Sequence, residues 1–144
     1  MSKIKTVDLF AGCGGLTEGF AQSGLFETLA CVEWESAQCQ NLTKRLKEKW
    51  SMTDADQRVI RFDIQRTEKY GISAGLDALV GSNLDLVIGG PPCQAYSIAG
   101  RIRDEHGMKN DYRNFLFESY LRIVEHFKPK ALVFENVPGL LSAK

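Results

Sequence analysis

Five short apolar runs, "KTVDLF", "ETLACVE", "RVIRFDI", "LDLVIGG" and "ALVFEN", recur along the chain with amphipathic stretches between them. Runs of this length, rich in aliphatic and β-branched residues, read as strands. "LDLVIGG" is nearly unbroken in its apolar character, which suits a strand covered on both faces. Helical spacing fills the intervals. "LTEGFAQSG" sets Leu16, Gly19 and Phe20 at helical spacing before a stop at Gly24. "SAQCQNLTKRLKEKW" does the same with Cys39, Leu42 and Leu46, and gathers Lys and Arg towards its end, where the helix dipole favours cations. "FLFESYLRIVEHF" puts Leu116, Phe117, Tyr120, Leu121, Val124 and Phe127 on one side and stops at Pro129. Residues 66–83 are poorly patterned, with a short helix expected around Leu76–Val80. Strands alternating with helices through short links predict an α/β domain: a doubly wound, mostly parallel sheet with helices on both faces.

The 144 residues suffice for one domain with a sizeable core. Eighteen basic residues balance eighteen acidic ones, so any nucleic-acid contact must come from a local patch. No apolar stretch approaches the roughly 20 residues of a membrane span. "MSKIKTVDLF" has too short an apolar run for a secretory signal. Cys13, Cys31, Cys39 and Cys93 form no C-x-x-C pair, and His106 and His126 stand alone. Neither a disulfide framework nor a metal site is expected, and three of the thiols read as small packing residues. The expectation is a reduced, cytoplasmic protein.

Ligands of doubly wound sheets bind outside the carboxyl ends of the strands, near the point where strand order reverses. The residues just past those ends are Phe10 to Gly15, Glu33 and Trp34, Asp63 and Ile64, Gly89 to Cys93, and Glu135 and Asn136. In "DLFAGCGG", Gly12, Gly14 and Gly15 permit a tight turn whose amides can face a ligand. Thr17 stands where a dinucleotide fingerprint needs its third glycine, which argues against a nicotinamide dehydrogenase. Glu33 follows the loop by about 20 residues, where an acid can accept hydrogen bonds from both ribose hydroxyls. Phe10 and Trp34 can sandwich a flat base, with the Asp63 carboxylate accepting an adenine amino hydrogen. Singly, each fits a core aromatic or a surface acid. At consecutive strand ends, together, they predict an adenosine-containing cofactor.

The fourth run ends on "PPC". Pro91 and Pro92 fix their own φ angles and restrict the residue before them, so the chain leaves the sheet along a stiff path. Such a path can hold the Cys93 sulfur at a constant distance from a substrate, where large proximity gains arise. Thiolate is the reactive form. The following "QAYSIAGRIRDEHGMKNDYR" is long and polar, with Arg101, Arg103, Lys109 and Arg113, and suits a closing lid. Glu135 and Asn136 reach the same rim from the fifth run, and an acid beside a nucleophile can protonate a ring nitrogen.

"DLFAGCGG", "GGPPCQAYS" and "FENV", in this order, resemble the catalytic core of bacterial C5-cytosine DNA methyltransferases over essentially the whole chain. The resemblance implies a Rossmann-like methyltransferase fold and S-adenosylmethionine as cofactor. It implies that Cys93 adds to cytosine C6 and that Glu135 engages N3 and the exocyclic amine. Phe10, Glu33, Trp34 and Asp63 match the adenosine pocket, and Gly12 and Gly14 the turn around the methionine moiety. Ile64, Pro92, Asn114 and Leu116 complete the cofactor set. Gln94, Ser97, Arg101 and Arg113 fall in the loop that closes on double-stranded DNA. Because C6 is inaccessible in a stacked duplex, the cytosine must be flipped out, at a cost of a few kcal/mol.

Members of that family carry, after "ENV", a Q-x-R-x-R segment, a target-recognition domain and a closing motif, none of which this sequence contains. The expectation is therefore a catalytic part ending after its fifth strand, inactive alone, completed by a C-terminal portion or a second chain. Apolar sheet surface beside "ALVFEN" should be left uncovered. The rival readings are an RNA cytosine methyltransferase, an amino-directed methyltransferase, for which Cys93 would be dispensable, and a non-catalytic cofactor-binding or assembly subunit.

Overall fold

All five apolar runs pair into one parallel sheet. The computed structural model describes residues 2–66, 75–92 and 116–136. In chain order its elements are β1 (Ile4–Leu9), α1 (Gly15–Ala21), β2 (Phe26–Glu33), α2 (Ser36–Trp50), α3 (Ala55–Arg58), β3 (Val59–Arg61), a 3-10 turn (Ile64–Arg66), α4 (Leu76–Val80), β4 (Leu86–Gly89), α5 (Leu116–Phe127) and β5 (Ala131–Phe134). The spatial order is β3-β2-β1-β4-β5. After β3 the chain returns to pair β4 with the free side of β1 (Val7 opposite Val87, Leu9 opposite Gly89). Strand order therefore reverses between β1 and β4.

Alternation along the strands divides the interior into two layers. Val7 and Leu9 of β1 and Ala30 and Val32 of β2 pack with Leu76 and Val80 of α4 and Tyr120 and Ile123 of α5. Cys31, on the opposite face, packs with Leu42 and Leu46 of α2 and with Ala55. This is the doubly wound arrangement that the alternation of runs predicts. The Tyr120 hydroxyl lies 3.3 Å from both the Val87 and the Val133 carbonyl oxygens, donating between neighbouring strands. Burial, and then the Asp8 charge, push its pKa up to about 12.

Two elements depart from expectation. β3 has three residues rather than the seven of "RVIRFDI", because α3 takes up the chain to Arg58 and pairing with β2 ends at Arg61. α5 is rotated relative to the expected stripe: Leu116, Ser119, Tyr120 and Ile123 are buried, while Phe117 and Leu121 are exposed. Phe117 instead meets Phe134 edge to face, 5.4 Å between ring centres. Among the thiols, Cys31 and Cys39 are buried but Cys13 is exposed, so Cys13 is not the packing residue expected of it. Among the described residues, no helix is long and apolar enough to cross a membrane.

Candidate functional site

The carboxyl ends of the strands enclose a cleft of about 370 Å³. Phe10 enters it from the end of β1, Glu33 and Trp34 from β2, Asp63 and Ile64 from beyond β3, Pro92 from beyond β4, and Leu116 from the start of α5. Phe10 has a φ of 59°, a left-handed conformation unusual for a bulky residue and costing on the order of 1 kcal/mol or more. That turn redirects the chain from β1 into the glycine loop while the ring stays against the core. Trp34 is 60% exposed, a large aromatic face left open beside the cleft.

Glu33 is the opposite case, only 7% exposed. Its Oε2 accepts the Gly12 amide at 2.9 Å, and its Oε1 accepts the Trp34 and Glu35 amides at 2.8 and 2.9 Å. One carboxylate thus ties the glycine loop to the residues leading into α2. An ionised carboxylate offers about four acceptor positions; among the described residues three are used, two on Oε1 and one on Oε2. The Asp63 Oδ1 accepts the Gln65 amide at 3.1 Å, and its other oxygen lies 3.6 Å from Arg66. Gly12 is not among the residues lining the cleft; its amide donates to Glu33, which is. Gly14 does not line it: with φ at 89° it precedes α1, and a Cβ there would lie 2.5 Å from Leu42 Cδ1.

Beneath the loop lies Asp8, buried inside β1, its Oδ2 accepting both the amide and the hydroxyl of Thr17. Its Oδ1 is buried with no hydrogen-bond partner among the described residues. Burial raises its pKa to about 7 against the lowering by Thr17, with the Glu33 charge adding to the rise. Burial also pushes the neighbouring Cys31 thiol up to about 12. The Cys39 thiol, likewise raised by burial, donates to the Glu33 carbonyl at 3.3 Å. Both are structural thiols, unsuited to nucleophilic work.

The second part of the site is the rim between β4 and β5. The Glu135 amide donates to the Gly89 carbonyl at 2.9 Å, extending the β4–β5 ladder past Phe134. Its carboxylate then folds across Gly90: a Cβ on Gly90 would sit 2.8 Å from Glu135 Oε2. At Gly89 a Cβ would lie 2.8 Å from the Leu9 carbonyl oxygen and 2.9 Å from the Tyr120 ring. Close approach to backbone and a packed ring requires glycine at 89, while at 90 the neighbour is the movable end of the Glu135 side chain, an exposed carboxylate over the segment that runs through Pro91 and Pro92 towards position 93. Cys93, Gln94, Ser97, Arg101, Arg113 and Asn114 lie outside the described residues. Among the described residues no group of His, Cys, Asp and Glu is arranged to hold a metal ion.

Val32, Glu35, Gln38, Phe62 and Gln65 also line the cleft, though none was expected there from the sequence. Gln38 sits in the first turn of α2, five residues past Glu33, and its position on the helix face nearest the loop was the available signal. Aromatic faces, a locked carboxylate and a second acid make a donor set that fits an adenosyl group.

The sequence model of the C-5 cytosine-specific DNA methylase family matches residues 4–144. Type II methyltransferase M.Bpa9945I of Bacillus paralicheniformis is 35% identical over 96% of this chain and 41% of its own length. DNA (cytosine-5-)-methyltransferase M.ApeKI of Aeropyrum pernix is 36% identical over 99% of this chain and 30% of its own length. Among solved structures, DNMT2 of Spodoptera frugiperda shares the fold, with a TM-score of 0.55 at 21% identity over 99% of this chain and 38% of that one. The chain spans well under half the length of these relatives.

Proposed function

The chain belongs to the C-5 cytosine-specific DNA methylase family, and from that membership we propose that it is the cofactor-binding and nucleophile-bearing part of a DNA (cytosine-5-)-methyltransferase. The observation that carries the reading is the meeting of two half-sites at one sheet end: the adenosine-sized cleft and Glu135 resting on Gly90, three residues before Cys93. The cofactor is S-adenosylmethionine, which when bound supplies an electrophilic methyl group. Phe10 and Trp34 flank its base, Asp63 takes the amino hydrogen, and Glu33 binds the ribose. Ile64, Pro92 and Leu116 line the same cleft, and Asn114, outside the described residues, is assigned to the cofactor set by the family resemblance.

Cytosine C5 is too weak a nucleophile until something adds at C6. The Cys93 thiolate forms that bond to a cytosine flipped out of double-stranded DNA. Glu135 would hold N3 and the exocyclic amine, so electron density is pushed to C5; once C5 carries the methyl group that the cofactor would supply, loss of the C5 proton lets the sulfur leave. Gln94, Ser97, Arg101 and Arg113 close over the DNA. The place of action is the cytoplasm, in DNA methylation of the type II kind that the relatives' names describe.

A completing polypeptide is part of the reading. β5 pairs with β4 alone among the described residues, and its Leu132 and Val133 are 48% and 38% exposed. An apolar edge strand of this kind supports a partner segment packed against it. The chain alone is expected not to methylate DNA. The decisive test mixes this chain with the C-terminal portion of a relative, S-adenosylmethionine and a 5-fluorocytosine duplex, and looks for a denaturation-resistant protein–DNA adduct. Wild type should form it and Cys93→Ser should not. Adduct formation by the Ser variant, or by neither protein, sinks the proposal, and methyl transfer by the chain alone removes the completing part.

A further inference from the structure

Tyr120 lies wholly buried on α5 and touches both strands that lead to the reactive rim. Its hydroxyl is 3.3 Å from the Val87 carbonyl oxygen of β4 and 3.3 Å from the Val133 carbonyl oxygen of β5. Its ring stands edge to face against Phe134, 5.1 Å between ring centres. The same ring is what a Cβ on Gly89 would meet at 2.9 Å. Gly89 and Phe134 are the last residues of β4 and β5, and the 2.9 Å bond from the Glu135 amide to the Gly89 carbonyl joins the strands just beyond them. One side chain therefore meets each strand at two places, directly beneath the point where both leave the sheet.

A core layer does not need a phenol there. A leucine or phenylalanine would also fill the space with apolar atoms, whereas a buried hydroxyl must find a partner. With one hydrogen to give, the Tyr120 hydroxyl shares it between the two carbonyls or passes it from one to the other. Burial, and then the Asp8 charge, push its pKa up to about 12, so it remains a donor across the neutral range. What the hydroxyl adds to packing is direction, because a hydrogen bond weakens steeply as its angle is lost. It fixes how β4 and β5 sit against α5, and thus against each other. The consequence falls on the rim. Glu135 follows Phe134 directly, with its Oε2 over Gly90. Pro91 and Pro92 have fixed φ angles, so a shift at Gly89 is passed on towards position 93.

We propose that Tyr120 is a positioning residue for methyl transfer: through its hydroxyl on β4 and β5 and its ring on Gly89 and Phe134, it sets where the Glu135 carboxylate stands relative to the segment that carries Cys93. The proposal rests on the roles given to Cys93 and Glu135 above. Tyr120 does not itself line the cofactor cleft, although Leu116, one turn earlier on α5, does. Its loss should therefore be felt in the reaction and not in cofactor binding.

The test compares wild type, Tyr120→Phe and Tyr120→Leu, each completed with the C-terminal portion of a relative, in methyl transfer to double-stranded DNA. Melting curves and calorimetric titration with S-adenosylhomocysteine are run on the same proteins. Tyr120→Phe keeps the ring and removes only the hydroxyl. It should melt a few degrees lower. Well below that melting temperature its kcat should fall about tenfold, while KM for DNA and cofactor affinity stay within about twofold. Tyr120→Leu, which also frees Gly89 and Phe134, should lose about 10²-fold in kcat, the effect of a misplacement of about 1 Å. If Tyr120→Leu does not fold, Tyr120→Phe decides alone. An unchanged kcat in Tyr120→Phe, with or without a lower Tm, makes the hydroxyl a packing feature and overturns the proposal while the function stands. Parallel loss of kcat and cofactor affinity moves the effect to the cleft and overturns it too. A wild type that transfers no methyl group removes the proposed function and this proposal together.

Discussion

Glu33 and Glu135 stand at the two ends of the same functional rim, and the chain treats them in opposite ways. Glu33 is buried and held by three backbone amides. Glu135 is exposed, anchored through its own amide, with its carboxylate laid over Gly90. The contrast extends to the strands behind them: β1 and β2 are covered on both faces, whereas β5 carries exposed apolar side chains along an edge. The cofactor half is pre-organised by this chain's own hydrogen bonds. On the proposed function, the reactive half takes its final shape from a completing polypeptide and from the base that arrives.

Glu135→Gln is expected to give the largest effect. It keeps the shape over Gly90 and removes the proton, so methyl transfer by the completed enzyme should fall by about 10²–10⁴-fold. Cofactor affinity measured by calorimetry should stay within about twofold, since Glu135 is not among the residues lining the cofactor cleft. A drop in cofactor affinity matching the drop in transfer would erase the distinction between the halves.

Asp8 probes how tightly the first half is locked. Its pKa is about 7 when folded, against 3.8 as the ordinary value. Between those values the folded protein holds a proton that the unfolded chain has released. Its contribution to stability is therefore fully present below about pH 4 and is lost as pH rises through about 7, a change on the order of 4 kcal/mol. Asp8→Asn should flatten that slope in denaturant titrations run at several pH values. An unchanged slope would show that Asp8 is not the proton-holding group.

Gly89→Ala acts where the halves join, pressing a methyl group on the Leu9 carbonyl and the Tyr120 ring. Overpacking of this kind should cost about 1–3 kcal/mol, read as a lowered urea midpoint with unchanged slope. Wild-type stability in the variant would mean that β1, β4 and α5 are looser than the geometry implies. Leu132→Lys, on the open edge, should change the stability of the chain by no more than about 0.5 kcal/mol. Its effect should appear instead as weakened association with the completing C-terminal portion in sedimentation. Undiminished association would move the docking face elsewhere.

The elements were legible because they are local. α2 runs from Ser36 to Trp50 as its spacing predicts, with Cys39, Leu42 and Leu46 buried. Phe10, Glu33, Trp34, Asp63, Ile64, Pro92 and Leu116 all come to one cleft, because a parallel sheet delivers every strand end to the same side. The rotation of α5 was not legible. Periodicity defines a stripe, but its centre depends on the groove offered by the sheet, and that groove favours Ser119 and Ile123 over Phe117 and Leu121. β3 was overread for a related reason, since strand length is set by the partner that pairs with it.

The sequence by itself determined the strand order's raw material, the residue types at each strand end and the chemistry those types carry, because each follows from periodicity and composition within a short window. Only the tertiary structure decided that three backbone amides hold Glu33, that Gln38 joins it in lining the cleft, and that Glu135 lies over Gly90. Those are distances between residues far apart in the chain. Hydrogen-bond capacity and close packing are counted in space, where a shift of about 1 Å separates a contact from a gap.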